Sequence, residues 1–224
     1  IAIKDGRILE TGTSAELMDK YDYDKRIDLK GKPVYPGFID AHCHFYGYAT
    51  DLLKCDLTGT TSFKDIIEKV AVFEKTNDFS WVLGRGWDQN DWSEKVFPDK
   101  KELDSLFPNK PVFLQRVDGH AALCNTAALK IAGITVATKI SGGEIIHANN
   151  EPTGLLIDNA VSLVEQHIPT YNSELITSAL MKGEANCFRC GITTVDDAGL
   201  GKDTIEFIQQ LQKSEKLNMR VYAM

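Results

Sequence analysis

The stretch VYPGFIDAHCHFYG, from Val34 to Gly47, decides the fold and the chemistry to be sought, because an apolar run ends there in two histidines separated by one residue. In a β-strand, residues i and i+2 share a face. His42 and His44 therefore project to the same side together with Asp40, while Cys43 points to the opposite face. Two imidazoles about 7 Å apart along a strand can converge on one metal ion where the strand end curves.

The context of the pair bears on whether it is a metal site or only a packed strand end. The strand opens on Pro36-Gly37, and the stretch from Tyr46 to Tyr48 indicates that a loop begins directly after the histidines. Residues at the carboxyl ends of parallel strands face the mouth of an α/β barrel, where its chemistry lies. These features support the metal hypothesis, and the residues by themselves leave both explanations open.

Length, composition and charge are those of an ordinary globular protein. The chain has 224 residues, of which 43% are hydrophobic and 25% charged, enough to bury a sizeable core. The net charge of −7 argues against nucleic acid or an anionic membrane as a partner. No apolar run approaches the roughly 20 residues that span a bilayer, and no signal peptide is recognisable.

The cysteines bear on the compartment. The five of them form an odd and scattered set, which does not predict a disulfide framework. A reducing compartment, the cytoplasm, is therefore the expected location. The chain has no initiator Met, so removal of an upstream segment would be compatible with the same sequence.

The pattern of the chain changes near residue 36. Before it, two short β-like runs flank Asp5-Gly6, a hairpin signal. After it, strand-like and helix-like segments alternate, which predicts βα units and a parallel sheet. Ser62 is the expected cap of one helix, and the segment from Leu155 to Pro169 is expected to be helical. Because a closed eight-unit barrel takes about 250 residues by itself, the chain looks like the front part of something larger.

A family resemblance rests on several quoted stretches taken in order. PGFIDAHCHF is similar to the first barrel strand of the amidohydrolase superfamily, whose mark is P-G-x-I-D-x-H-x-H, and IAIKDGRILETG resembles the small β-sandwich that precedes that barrel. The set as a whole resembles amidohydrolase family 3, the YtcJ-like branch that includes N-substituted formamide deformylase. The further stretches that carry this resemblance are WVLGRGWDQNDW, PVFLQRVDGHAALCNTAALKIAGI, GGEIIHANNEPTGLLIDNA and GITTVDDAG.

The resemblance implies a fold and a division of the chain. The expected class is α/β: a metal-dependent hydrolase (β/α)₈ TIM barrel, incomplete in this chain, with a small N-terminal β-sandwich portion. Residues 1–36 would form the sandwich portion. Residues 37–224 would form the first part of the barrel domain, with a large insertion at about residues 50–175.

The resemblance also implies a reaction. The family expectation is a metal-dependent hydrolase that cleaves an amide-type C–N bond of an N-acyl or N-formyl compound with metal-activated water. His42 and His44 would be ligands of a divalent metal, zinc by analogy, present as one ion or two. Asp40 would fix the orientation of the two imidazoles.

The chain departs from the family pattern in its second half. The family completes its site with a lysine, two later histidines and a later aspartate that acts as ligand and general base, and none of these motifs occurs before Met224. A catalytic zinc usually takes three protein ligands, and this chain supplies two. No catalytic residue is therefore assigned within the chain, and the C-terminal half of the barrel is the expected missing partner.

Five further side chains are candidates for a substrate pocket. Asp118 and His120 close a predicted strand, where a local hydrogen-bonding role is the alternative. Trp87 and Asp88 would lie near the barrel mouth, where packing of the aromatic ring in the core is the alternative. Asp197 ends the strand ITTVDD and would face the same mouth.

Alternatives to amide hydrolysis stay open at this point. The same metal apparatus would serve a deaminase or a cyclic-amide hydrolase, because the pocket decides the substrate. A truncated homologue or fragment would instead be a non-catalytic binding or structural module. The expected partners are a small-molecule amide and, in a homo-oligomer, a second copy of the chain.

Overall fold

The computed structural model describes residues 1–224, which form two compact units, Ile1–Pro36 and Gly37–Met224. In the first unit, strands β1 (Ala2–Lys4) and β2 (Arg7–Glu10) pair antiparallel. The predicted hairpin is confirmed, because Asp5 and Gly6 both have positive φ angles of 50° and 72°, as a tight primed turn requires.

The rest of the first unit is one short helix, α1 (Ser14–Lys20), and irregular chain. Thr13 caps the helix: its hydroxyl accepts the Glu16 amide, and the Glu16 carboxylate accepts the Thr13 amide in return. The unit holds a single two-stranded sheet, so the β-sandwich portion stays a prediction.

The second unit alternates strands and helices, as its pattern predicts. Its elements are β3 (Phe38–Cys43), α2 (Phe45–Asp51), β4 (Cys55–Asp56), α3 (Phe63–Thr76), β5 (Val82–Trp87), α4 (Lys101–Leu106), β6 (Val112–Arg116), β7 (Ala121–Cys124), α5 (Thr126–Ile131), β8 (Gly143–Ala148), β9 (Glu151–Asp158), α6 (Asn159–Glu165), α7 (Ser173–Arg189), β10 (Ile192–Asp197), α8 (Lys202–Lys213) and β11 (Arg220–Ala223). Ser62 caps α3 by accepting the Asp65 amide at 3.2 Å, which confirms that cap. None of the helices combines the length and the apolar character that crossing a membrane would require.

The larger of the two sheets in the second unit has six strands in the order β4-β5-β6-β7-β9-β8. Strands β4, β5 and β6 run parallel, whereas the pairs β6–β7, β7–β9 and β8–β9 are antiparallel. The α/β class is confirmed, but the expectation of a purely parallel sheet is wrong for this part. Only four residues, 117–120, join β6 to β7, and a connection that short can only return the chain antiparallel.

Alternation along the strands covers both faces of this sheet. Leu114, Leu123 and Leu155 belong to the core under α3 and α4. Their sequence neighbours Ala122 and Leu156 belong to the core under α5 and α6. Because both faces are buried, these strands have the continuous apolar character of an interior sheet.

The same burial explains a wrong expectation for residues 155–158. The sequence predicts a helix from Leu155, but β9 continues to Asp158 and α6 begins only at Asn159. Pairing with β7 and β8 satisfies the backbone of this apolar run. Periodicity alone does not distinguish a short buried strand from a buried helix.

The smaller sheet has three parallel strands in the order β11-β10-β3. Helices α2, α7 and α8 cover it, and its core includes Phe45, Leu180 and Val195. The buried Glu184 accepts the backbone amides of Asn218 and Met219, both at 2.6 Å, at the start of β11. This open sheet carries the histidine pair at the end of β3.

Candidate metal centre

The histidine pair lies where β3 ends and α2 begins. Asp40 pairs with Val195, but Cys43 pairs with Asp197, so β3 has one residue more than β10 over this span. Such a bulge re-aims side chains at a strand end. Cys43 packs against the core beneath the sheet, while His42 is exposed. The opposed faces predicted for these two residues are present.

The two imidazole rings are close and free of the core. Their centroids are 5.9 Å apart with an interplanar angle of 75°, and both residues are exposed. Two imidazoles bound to one tetrahedral zinc at about 2.0–2.1 Å have ring centres about 5 Å apart. Small side-chain rotations would therefore allow His42 and His44 to share one cation, and the donor type suits zinc.

A backbone carbonyl selects the tautomer of His44. Its Nδ1 lies 3.0 Å from the carbonyl oxygen of Ala198, and because that oxygen can only accept, Nδ1 must donate its N–H. In the neutral ring Nε2 then carries the free lone pair. A carbonyl acceptor on the opposite nitrogen is the usual support of a metal-binding histidine.

Asp40 touches the backbone and not the rings. Its Oδ1 accepts the amide of His42 at 3.3 Å, and no hydrogen bond joins the carboxylate to either imidazole. The orienting role implied for Asp40 therefore stays a prediction. In this chain Ala198, rather than Asp40, holds an imidazole in place.

Asp197 caps the start of α2. Asp197 is 1% exposed, and its Oδ2 accepts the backbone amide of Tyr46 at 2.8 Å. Burial raises the pKa of this carboxyl, while the Tyr46 amide and the nearby His44 act in the opposite direction. His44 makes no side-chain cap for the helix, so Asp197 takes that place from the neighbouring strand. Its assignment to a substrate pocket stays a prediction.

The structure places no third metal-binding side chain with the histidine pair. No group of three or more His, Cys, Asp or Glu side chains is arranged to hold a metal ion. A catalytic zinc usually has three protein ligands plus water. By itself the pair supplies fewer ligands than such a zinc site has.

The other polar candidates form a separate group at the β6–β7 turn. Asp118 and His120 follow the end of β6 at Arg116 and lie in the turn, residues 117–120, that leads to the antiparallel strand β7. Arg116 holds Asp118 by two bonds of 2.9 and 2.7 Å and keeps the pKa of that carboxyl below its usual range. His120 Nδ1 lies 2.8 Å from Oδ1 of Asp158.

The remaining two candidates lie at the end of β5, where Trp87 is the last residue of the strand and Asp88 follows it. Trp87 is 1% exposed, and its indole donates to the carbonyl of Leu114 at 2.8 Å. The ring packs within the sheet core, and the assignment of Trp87 to a substrate pocket stays a prediction. The neighbouring Asp88 is half-buried, and its carboxylate accepts the amide of Asn90 at 2.9 Å.

Two residues of these sites were not found from the sequence. The Ala198 contact uses a main-chain carbonyl, which has no side-chain signal. Asp158 falls inside the segment expected to be helical, and only the strand β9 brings it to His120. Its φ of 49° and ψ of −124° are rare for a residue other than glycine.

Comparison with known proteins finds relatives over most of the chain. The model of a family described as amidohydrolase family matches residues 25–223. Over 200 residues the chain is 36% identical to YtcJ of Bacillus subtilis (strain 168), covering 86% of this chain and 37% of that protein. It is 28% identical to N-substituted formamide deformylase of Arthrobacter pascens, covering 97% of this chain and 42% of that enzyme. The chain therefore spans well under half the length of these relatives.

A solved structure supports the fold. A metal-dependent hydrolase from Pyrococcus horikoshii OT3, itself uncharacterized, superposes with a TM-score of 0.62 at 21% identity. The match covers 84% of this chain and 36% of the other. This likeness bears on the fold alone.

Proposed function

The chain belongs to the amidohydrolase family, and on that premise we propose that it is the metal-binding N-terminal part of a hydrolase that cleaves an amide-type C–N bond. The expected substrate class is an N-acyl or N-formyl compound, in line with the name of the Arthrobacter relative, N-substituted formamide deformylase. His42 and His44 are the proposed ligands of a divalent cation, zinc by donor type. When bound, such a cation polarises a carbonyl group and makes water ionise near neutral pH.

One observation carries this proposal: the Nδ1–H of His44 is engaged by Ala198, which leaves the Nε2 lone pair free in a ring whose centroid lies 5.9 Å from that of His42. The carbonyl fixes the rotation of the ring, so little side-chain entropy is lost when a ligand is bound. Bonding of Asp197 to the Tyr46 amide fixes the helix that directly follows His44. The chain's own residues thus orient the ring of His44 next to His42 at one strand end.

We propose further that β3, β10 and β11 are the first strands of a (β/α)₈ barrel that is incomplete in this chain. The three strands are parallel, and their order across the sheet follows their order along the chain, as it does for successive barrel strands. The large sheet would then lie in an insertion at about residues 50–175 of a domain comprising residues 37–224. Residues 1–36 would be the β-sandwich portion.

The test is metal analysis of the longest natural form of the protein. The wild type is compared with the double variant His42→Ala/His44→Ala and with His147→Ala, an exposed histidine of β8, as the matched control. We expect the double variant to lose its metal and its hydrolysis of formanilide, followed as release of aniline, and the control to keep both. Unchanged metal content in the double variant would refute the proposal.

A second function is favoured by the ligand count. With two donors and no third, the chain alone suits a non-catalytic binding or structural module. Metal binding without hydrolysis across linear amides, cyclic amides and aromatic amines would support that function. Hydrolysis confined to cyclic amides, or release of ammonia from an amine, would identify the other activities of the superfamily.

A further inference from the structure

We propose that His120 and Asp158 form a second functional site, in which Nε2 of His120 accepts a hydrogen bond from the N–H of an amide substrate. The choice of an amide rests on the proposed function, whereas the site stands on its own geometry. Asp158 is the positioning residue, and His120 is the residue that touches the substrate.

Two hydrogen bonds tie the residues together across two elements. The backbone amide of Asp158 donates to the carbonyl of His120 at 2.8 Å, and Nδ1 of His120 lies 2.8 Å from Oδ1 of Asp158. An ionised carboxylate can only accept, so Nδ1 donates. The neutral ring then presents its lone pair on Nε2, away from Asp158.

The outward side of the ring is available. The His120 side chain is 70% exposed and that of Asp158 51%, and no other hydrogen bond engages the ring. A surface histidine needs no fixed tautomer for packing. A further hydrogen bond fixes the turn, because Asp118 accepts the backbone amide of His120 at 3.0 Å.

The backbone at Asp158 is held in a costly conformation. Its φ of 49° and ψ of −124° are strained for a side chain bearing a Cβ. The neighbouring loop keeps it there: Asn159 donates its backbone amide to Gly142 at 3.2 Å and its side-chain amide to Ser141 at 2.9 Å. Glycine would relieve the strain, but it would remove the carboxylate that selects the His120 tautomer.

The surrounding charge selects the kind of ligand. Two cations lie near the turn: the guanidinium of Arg116 is bound by Asp118, and Arg85, which donates to the carbonyl of Val117 at 3.5 Å, is paired with Asp51. Asp118, Asp88 and Asp158 all raise the pKa of Arg116, so carboxylates outnumber cations around the turn. Such a surface disfavours an anion and favours a neutral or cationic N–H donor, the nitrogen side of an amide.

The test uses two formamides that differ in a single N–H group. The probes are formanilide, which has the N–H, and N-methylformanilide, which lacks it. Diethylpyrocarbonate modifies exposed imidazoles, and mass spectrometry gives the rate at each histidine. At about four times its Kd, formanilide should slow modification of His120 about fivefold, while N-methylformanilide should have no effect. His147 and His167, both exposed, are internal controls.

Variants separate positioning from folding. In Asp158→Asn the side-chain amide can donate to Nδ1 and place the ring hydrogen on Nε2, so protection by formanilide should disappear. Asp99→Asn, the matched control, changes a carboxylate that pairs with Lys101 outside this turn, and it should keep the protection. Equal protection by both formamides, or none by either on the wild type, overturns the proposal, and that comparison does not depend on any variant folding.

The outcome is distinguishable from that of the proposed hydrolysis. Protection of His120 is measured as binding and needs no turnover. If His42→Ala/His44→Ala abolishes hydrolysis and keeps protection, both proposals stand. Protection in a wild type that hydrolyses no amide supports the second site and contradicts the hydrolase.

Discussion

Nδ1 of His44 donates a hydrogen bond of 3.0 Å to the carbonyl oxygen of Ala198, 154 residues further along the chain. This contact joins the end of β3 to the residue that follows β10. Nδ1 of His44 therefore has a structural role as a hydrogen-bond donor, while Nε2 stays free as an acceptor. A substitution can remove one role and keep the other.

The first prediction uses His44→Asn. The Asn side-chain amide can replace the Nδ1–H bond to Ala198, but it has no atom in the position of Nε2. We expect the melting temperature to stay within about 2 °C of the wild type, as for a change of less than about 1 kcal/mol, and zinc affinity to fall at least about tenfold. Calorimetry and a zinc titration measure the two effects, with His167→Asn as control. Wild-type zinc affinity in His44→Asn would show that Nε2 is not a ligand.

The second prediction concerns Asp197 as the cap of α2. Asp197→Asn keeps an oxygen for the Tyr46 amide and removes a buried charge, so stability should change little. Asp197→Ala leaves that amide without a partner, and the free energy of unfolding should fall by about 1–3 kcal/mol. Urea denaturation of both variants measures the difference. Equal losses in the two variants would show that the carboxylate charge, and not the acceptor, matters.

The third prediction is a pH dependence at Asp118. Arg116 lowers the pKa of Asp118 below its ordinary value of 3.8. The stability that the pair contributes is therefore fully present above pH 3.8 and is lost as the pH falls through the lower, folded-state pKa. Asp118 is 43% exposed, which limits this contribution to about 0.2–1 kcal/mol. Asp118→Asn should be less stable than the wild type at pH 7 and should lose that difference in strong acid.

The control for this pH dependence is Asp99→Asn. Asp99 forms an exposed pair with Lys101, whose side chain is 85% exposed, so its effect at pH 7 should be smaller. Chemical denaturation at a series of pH values between 2 and 7 provides the comparison. A gap between wild type and Asp118→Asn that widens as the pH falls would contradict the assignment.

The fourth prediction concerns the thiols. Burial raises the pKa of Cys55 to about 11 and also raises the pKa of Cys124, which is 0% exposed. Because the thiolate is the nucleophile, both should resist iodoacetamide at pH 8 in the folded protein. Cys190 is exposed and should react first. Peptide mass spectrometry gives the order, and alkylation of Cys55 as fast as that of Cys190 would contradict it.

Local signals were read correctly where local physics decides the structure. The Asp5-Gly6 hairpin and the Ser62 cap depend on backbone conformations and hydrogen bonds between residues at most a few positions apart. The strand from Leu155 was missed because its partners are β7 and β8, and a short apolar run fits either a buried strand or a buried helix. The burial of Trp87 likewise depends on distant contacts, because its ring belongs to the core under α3 and α4 and its indole donates to the carbonyl of Leu114.

The sequence by itself determined the α/β class, the amidohydrolase resemblance and the pair His42 and His44, because strand periodicity and an ordered set of motifs are properties of neighbouring residues. Only the tertiary structure decided that Ala198 selects the His44 tautomer, that Asp197 serves a helix, and that Asp158 meets His120. Each of these is a contact between residues at least 38 positions apart. Such contacts follow from strand pairing and burial, which no local pattern encodes.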